Sequence, residues 1–437
     1  MLSAVLAAPL ELKHDKDVEV YTEQDLTTVR YSGDGRRVAA ASFDGGITMW
    51  DSRWFRTTAE CNPDPQTHQT ASWQFKASPA CHDCPVLALA WAPDGKTLAS
   101  GSGDVPRFQA DPDDHGNRGK PGWEDLKEPD VTLKQWDART LEQPIAEVYG
   151  AHYAAVSAIE FSPDGTTVAS AGHDGAVKLW AAGTLSKTGQ RRRAHDDWIL
   201  SISWSPDGAA LATAGREGTI KFWRPLGQAV ADKAGALIDP HSCALCVRGL
   251  QKVAELEKAH RMGVSGVSFS PGAGAWLASA GRDGYLKVWR MERPSPDASW
   301  RRMRPSLAAK VEAHKSWVTA VAFSPGGRMI ATGSADVGST LKVWGWDPSG
   351  AGRLWERRIA EPRRAHELPV TSLSWSPDGS WIVSASSDRL VKRWLAPTEV
   401  AVMKTKGKRR KKAGDTHTEE ELADSDGFDR YLRIKKQ

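Results

Sequence analysis

The chain has 437 residues, 40% of them apolar, and its 58 Lys and Arg against 54 Asp and Glu leave a formal net charge of +4. That balance excludes a dedicated nucleic-acid binder, which needs a strongly basic face, and no apolar run approaches the ~20 residues of a membrane-spanning helix. The length accommodates two or three ordinary domains or one large repeat array.

In chain order, Met1 to Leu10 is mildly apolar without a basic start, so residues 1–11 are read as an extension and not as a secretion signal. Asp17-Val18-Glu19-Val20-Tyr21 alternates as a strand does. From there a run of small and β-branched residues ends in tryptophan seven times, at Trp50, Trp136, Trp180, Trp223, Trp289, Trp344 and Trp394. Six of these have a histidine upstream, at His82, His152, His195, His260, His314 and His366, each followed four positions later by Val or Ile. The third unit shows the whole pattern. Val156, Ala158 and Phe161 lead into Ser162-Pro163-Asp164-Gly165, Val168 and Ala169 into Asp174-Gly175, and Val177 and Leu179 into Trp180. Short alternating runs bounded by Asp-Gly and Pro are strands joined by tight turns. A unit of about 40 residues cannot bury its apolar faces alone, so the units must stack on one another.

These residues resemble the WD-repeat β-propeller family over residues 12–397. Two features depart from the family pattern: Ala precedes most of the histidines where Gly is usual, and only Trp50 and Trp136 are followed by Asp. The resemblance implies an all-β, seven-bladed propeller of four-stranded antiparallel blades, closed by the N-terminal strand; Glu399-Val400-Ala401-Val402-Met403 is the alternative closing strand. It also implies a structural network of His, Ser or Thr, acid and Trp in each blade. The sets are His82, Ser100, Asp104, Trp136; His152, Ser170, Asp174, Trp180; His195, Thr213, Glu217, Trp223; His260, Ser279, Asp283, Trp289; His314, Thr332, Asp336, Trp344; and His366, Ser384, Asp388, Trp394. Blade one keeps Asp44 and Trp50 but has Thr22 and Ala40 where His and Ser belong, and is expected to be the least rigid.

A His-Ser-Asp set also suits nucleophilic catalysis. Six copies beside tryptophans argue instead for satisfying buried indole N–H groups. No Gly-rich phosphate cradle opens a helix, and Asp113-Asp114 and Asp196-Asp197 read as solvated turn residues, so no enzyme, cofactor or catalytic residue is expected. Two Cys-x-x-Cys pairs, Cys81 to Cys84 and Cys243 to Cys246, have zinc-like spacing, with His241, Cys61 and His68 as further ligand types. The two pairs fall in turns expected on opposite faces, so the reading is reduced thiols and no metal.

In the family resembled, turns at the position of the blade-two insertion 105–130 lie with the histidine turns on one face, which the insertion should therefore overhang. The stretches Pro225 to Gln251, Met291 to Pro305 and Asp51 to Ala71 should lie on the other. In that family, residues just after each histidine and just before each acid surround the channel mouth, where partners dock; here these positions hold Tyr153, His173, Asp197, Trp198, Arg216, Arg261, Arg282, Lys315 and Trp317, the candidate partner-binding residues, since exposed Trp, Tyr and Arg make interface hot spots. Trp198 and Trp317 either pack between blades or stand exposed; if exposed, they favour an acidic or phosphorylated peptide. Trp50-Asp51-Ser52-Arg53 and Trp136-Asp137-Ala138-Arg139 match an ending that marks ubiquitin-ligase substrate receptors in some WD-repeat proteins, which makes Arg53 and Arg139 candidate adaptor contacts. Residues 398–437 form a basic then acidic tail, expected to be disordered; Lys408, Arg409, Arg410 and Lys411 suit either a nuclear-import signal or a weak RNA contact.

The expected function is a non-catalytic scaffold in a multiprotein complex of the nucleus or cytoplasm, without a membrane partner. A ligase receptor and a nuclear RNA-protein or ribosome-assembly factor are the alternatives.

Overall fold

The computed structural model describes residues 13–22, 24–52, 74–78, 81–103, 131–226, 249–292, 303–336, 341–347, 353–360 and 365–397. They form seven four-stranded antiparallel sheets, the blades of a propeller. In six sheets the strands follow chain order. The seventh runs from Lys13–Tyr21 through Leu390–Leu395 and Trp381–Ser386 to Val370–Trp375. Lys13 lies opposite Leu395 and Tyr21 opposite Leu390. The N-terminal strand therefore closes the ring as the outer strand of the last blade, at the edge proposed for Glu399 to Met403 as the alternative.

The first strand of each blade lines the central channel: Leu26–Tyr31, Val86–Trp91, Val156–Phe161, Ile199–Trp204, Val264–Phe269, Val318–Phe323 and Val370–Trp375. Every one ends on an aromatic residue. That ring is a wedge driven against the preceding blade, where the second strand is built from small residues. Trp204 packs with Ala169 and Leu179 of blade three, Phe269 with Ala212 and Phe222 of blade four, and Phe323 with Ala278 and Val288 of blade five. Large against small fills the wedge-shaped gap between twisted sheets at interior density.

Polar clasps add to this packing. Hydroxyls near the start of the inner strand reach the next blade's carbonyl, Thr27 to Val86 and Thr319 to Val370, each at 2.5 Å, and likewise Ser157 to Ile199 and Ser265 to Val318. Near the end of the strand, Ser203, Ser268 and Ser374 accept the backbone N–H of Phe269 (3.2 Å), Phe323 (3.2 Å) and Tyr31 (3.1 Å). Glu160 does the same for Trp204 at 2.9 Å. At two of the three joints without an acceptor at that position, a tryptophan compensates: the indole N–H of Trp91 donates to the Arg30 carbonyl and that of Trp375 to the Ala322 carbonyl, both at 3.2 Å, while Ala90 faces Phe161 without such a bond among the described residues.

The Asp-Gly turns have a second, inter-blade reason for glycine. Gly175 and Gly284 sit at φ +67° and +82°, and a Cβ on either would lie 2.5 Å from the carbonyl oxygen of His195 or His314 in the next blade. That approach lets the next histidine's N–H bond to the glycine carbonyl, at 3.1 Å in both cases. In blade seven Arg389 takes the left-handed position at φ +66°, and its carbonyl receives the N–H of Thr22, the residue that replaces histidine in blade one.

Two measurements test this architecture. Gly284→Ala combines left-handed strain with overlap on a backbone oxygen, and should cost about 2 kcal/mol or more in urea unfolding. Glu160 faces a channel cavity of about 590 Å³, and burial pushes its carboxyl up to about 8 against the opposing Trp204 N–H and Arg30 charge. Between the ordinary value of 4.5 and about 8 the folded chain keeps a proton the unfolded chain has released, so stability should fall as pH rises through that window. Glu160→Gln, which retains the acceptor, should flatten that fall.

Candidate functional site: the histidine-turn face

The face is built outward from one hydrogen-bonded chain. In blade five the Trp289 indole N–H donates to Ser279 Oγ at 2.8 Å, Ser279 pairs with His260 Nε2 at 2.8 Å, and His260 Nδ1 pairs with Asp283 at 2.8 Å. The carboxylate can only accept, which places the proton on Nδ1 and leaves Nε2 to accept the serine O–H. Blades three and seven repeat it with His152, Ser170, Asp174, Trp180 and with His366, Ser384, Asp388, Trp394. In blade four Thr213 bridges His195 and Trp223, and Glu217 bonds His195 with Thr219 as a further partner. In blade six Thr332 bridges His314 and Trp344, while Asp336 stands 3.4 Å from His314 Nδ1.

Blade two varies the theme. Ser100 joins His82 Nε2 (2.7 Å) to Trp136 (2.8 Å), and Nδ1 meets the Thr132 hydroxyl at 2.6 Å; Asp104 lies outside the described residues. Burial and the nearby Lys134 charge push the His82 imidazole down to about 3. In blade one Asp44 accepts the Gly46 N–H at 2.9 Å and the Ser42 hydroxyl, and Trp50 is buried beside Val38 and Ala40.

The five histidines paired with a carboxylate have side chains with no exposure at all. A substrate cannot reach them. Burial alone would raise Asp283, yet the bond and charge of His260 and the N–H groups of Arg261 and Tyr285 hold it at about 2.

The same acids position the surface. Asp174, Asp283, Asp336 and Asp388 each accept the backbone N–H of the residue after the histidine: Tyr153 (3.0 Å), Arg261, Lys315 and Glu367 (3.1 Å each). With its backbone tied down, that residue has its side chain exposed, and Tyr153 is 77% exposed with Lys178 at 5.5 Å from its ring. The residue before the acid is fixed too. The N–H of His173, Arg216 and Arg282 bonds to the carbonyl of Ala155 (2.9 Å), Trp198 (2.8 Å) and Gly263 (3.0 Å).

These constraints bring five of the sequence candidates together. Trp198 stacks on His173 of the neighbouring blade at 4.1 Å and 10°, and Arg216 lies over it at 4.7 Å. Arg282 lies over Trp317 at 5.0 Å, and Trp317 is 45% exposed. Trp198 is therefore half-buried between blades three and four, whereas Trp317 is a surface residue. Burial and the Arg216 charge push His173 down to about 4, so it is neutral near pH 7.

Sequence reasoning missed a lysine two residues before six of the seven tryptophans. Lys221 and Lys342 donate to the carbonyl of the Ala before the histidine, Ala194 (3.0 Å) and Ala313 (2.8 Å), and Lys178 and Lys287 do likewise to Ala151 and Ala259. The recurring Lys-x-Trp spacing was the available signal. Arg139 is exposed in its turn, with Asp137 accepting its N–H at 2.8 Å. Arg53, the insertion 105–130 and Lys408 to Lys411 lie outside the described residues, as do Cys61, His68, His241, Cys243 and Cys246. Cys81 is buried and Cys84 half-buried, and no cluster of three metal-ligating side chains occurs among the described residues.

Fold and repeated network together define a seven-bladed propeller whose histidine, hydroxyl and acid sets are internal fastenings. The family model described as WD domain, G-beta repeat matches residues 16–51, 73–104, 143–181, 186–224, 250–290, 306–345 and 360–394, and the chain belongs to that family. It is similar to Protein HIR1 of Cryptococcus neoformans, 31% identical over 32% of this chain and 16% of that one. A chromatin assembly factor 1 subunit FAS2 homolog of Oryza sativa is 31% identical over 28% of this chain and 23% of its own length. Protein transport protein sec13 of Aspergillus clavatus is 25% identical over 61% of this chain and 88% of its own. The matched stretches thus span under a quarter of the first two relatives.

Ser279→Ala would strand both the Trp289 indole N–H and His260 Nε2 in the core. We expect a loss of roughly 2–4 kcal/mol in urea unfolding, with the outer face unchanged; a loss below the error of such melts would contradict the bonding chain.

Proposed function

We propose that the protein is a non-catalytic scaffold subunit that docks protein partners on its histidine-turn face. The observation that carries this is the asymmetry of the two faces. Of the ten large exposed apolar residues among the described residues, five, Phe43, Tyr153, Met262, Trp317 and Leu368, belong to the turns of this face, whereas Ile145, Tyr149 and Leu307 lie on outer strands and Leu226 and Leu395 at the far ends of third strands. The turns joining first to second strands at the opposite end are Ser, Pro, Asp and Gly: Ser162-Pro163-Asp164-Gly165, Ser205-Pro206-Asp207-Gly208 and their equivalents. Exposed aromatic and apolar groups interleaved with arginine mark a protein-binding surface. The relatives named as a chromatin assembly factor subunit and as a transport protein agree with work inside assemblies of the nucleus or cytoplasm.

Trp317→Asp combined with Met262→Asp should leave the melting temperature within about 2 °C and remove the partners retained in affinity purification. Retention of every partner would eliminate this reading. A second reading, a ubiquitin-ligase receptor, is favoured by the 73% exposure of the Arg139 side chain. It requires the ligase adaptor to co-purify and to be lost on Arg139→Ala.

A further inference from the structure

Resting on the docking-face reading, we propose that His173, Arg216 and Arg282, floored by Trp198 and Trp317, take the phosphate of a phosphorylated serine or threonine in a partner peptide. The three residues occupy the same position, immediately before the network acid, in three successive blades, and so follow one another around the channel mouth. Their equivalents in the other four blades are Ala335, Ser387, Phe43 and Gly103. Of these seven positions only those of Arg216 and Arg282, in adjacent blades, carry a charge near pH 7.

Both guanidiniums lie over indole rings, at 4.7 Å and 5.0 Å. Stacking occupies their faces and leaves N–H donors in the guanidinium plane for a ligand. Arg216 approaches Asp197 only to 3.9 Å, beyond hydrogen-bonding distance, and Arg282 forms no ion pair with a carboxylate among the described residues. His173 Nδ1 is buried without a hydrogen-bond partner. Burial and then repulsion from Arg216 hold Arg282 below its usual value, against the opposing charge of Asp197. Two like charges are thus kept side by side, on apolar rings, with their donors unspent. A phosphate monoester supplies nearly two negative charges and three strong acceptor oxygens, enough for both guanidiniums at once, whereas a single carboxylate matches one. The charge is focused at one point and not drawn out as a stripe, which suits a side-chain phosphate over a nucleic-acid backbone.

The test uses the full chain and three fluorescein-labelled degenerate peptide pools, with central phosphoserine, serine or glutamate, read by fluorescence polarisation. The phosphoserine pool should bind about tenfold or more tighter than either other pool, and Arg216→Gln and Arg282→Gln should each remove that preference at an unchanged melting temperature. Equal binding of the three pools, or full phosphoserine preference in folded Arg282→Gln, would overturn the assignment, as would tighter binding of a single-stranded RNA oligonucleotide that displaces the pool. If no phosphoserine preference appears while the Trp317→Asp, Met262→Asp protein still loses its partners, the phosphate assignment falls and the docking face stands. If the preference holds while that variant keeps every partner, the docking reading fails by itself.

Discussion

The rest of the molecule depends on hiding a tryptophan that carries one polar hydrogen. The indole is the largest side chain available to hold a third strand against its neighbours, and it brings an N–H that must be satisfied out of water. In blade five the solution is a relay of Ser279, His260 and Asp283, each group satisfying the one before it. Because the relay ends on a carboxylate at the surface of the turn, the spare oxygen captures the N–H after the histidine. A requirement of the core thereby fixes the backbone of the rim. Side chains such as Tyr153, Arg261 and Lys315 are exposed because their main chain is already committed.

Ring closure rests on a second, coarser constraint. Each blade must fill a wedge against its neighbour, and aromatic ends of inner strands against alanines do so at every joint described above. Glycine in the Asp-Gly turn then lets the next histidine's main chain come close enough to bond. These devices use up the polar and conformational options on the turns that make them. Freedom to vary remains at the single residue before each acid and in the turn after each histidine, and there the arginines and tryptophans stand.

Periodicity made the seven blades, the N-terminal closing strand and most members of the network legible, since each recurs at nearly constant spacing from a tryptophan. Thr132 was not legible as the partner of His82, because its counterpart in blade four, Thr219, only supplements Glu217 at His195, and the contact with His82 spans 50 residues. The lysine clasp was present in the pattern yet unread: its acceptor is a main-chain carbonyl, and a lysine beside a buried tryptophan carries no sign of burial in sequence. The His173 stack on Trp198 joins two blades, and nothing in either repeat reports on its neighbour.

The sequence by itself determined the unit, its number and its internal fastenings, because strand alternation, turn glycines and the Trp relay are local and repeat in register. Only the tertiary structure decided which variable positions face one another. Closing the ring sets residue 173 beside 198 and residue 282 beside 317 across blade boundaries, and adjacency of that kind depends on the angle between sheets and not on distance along the chain.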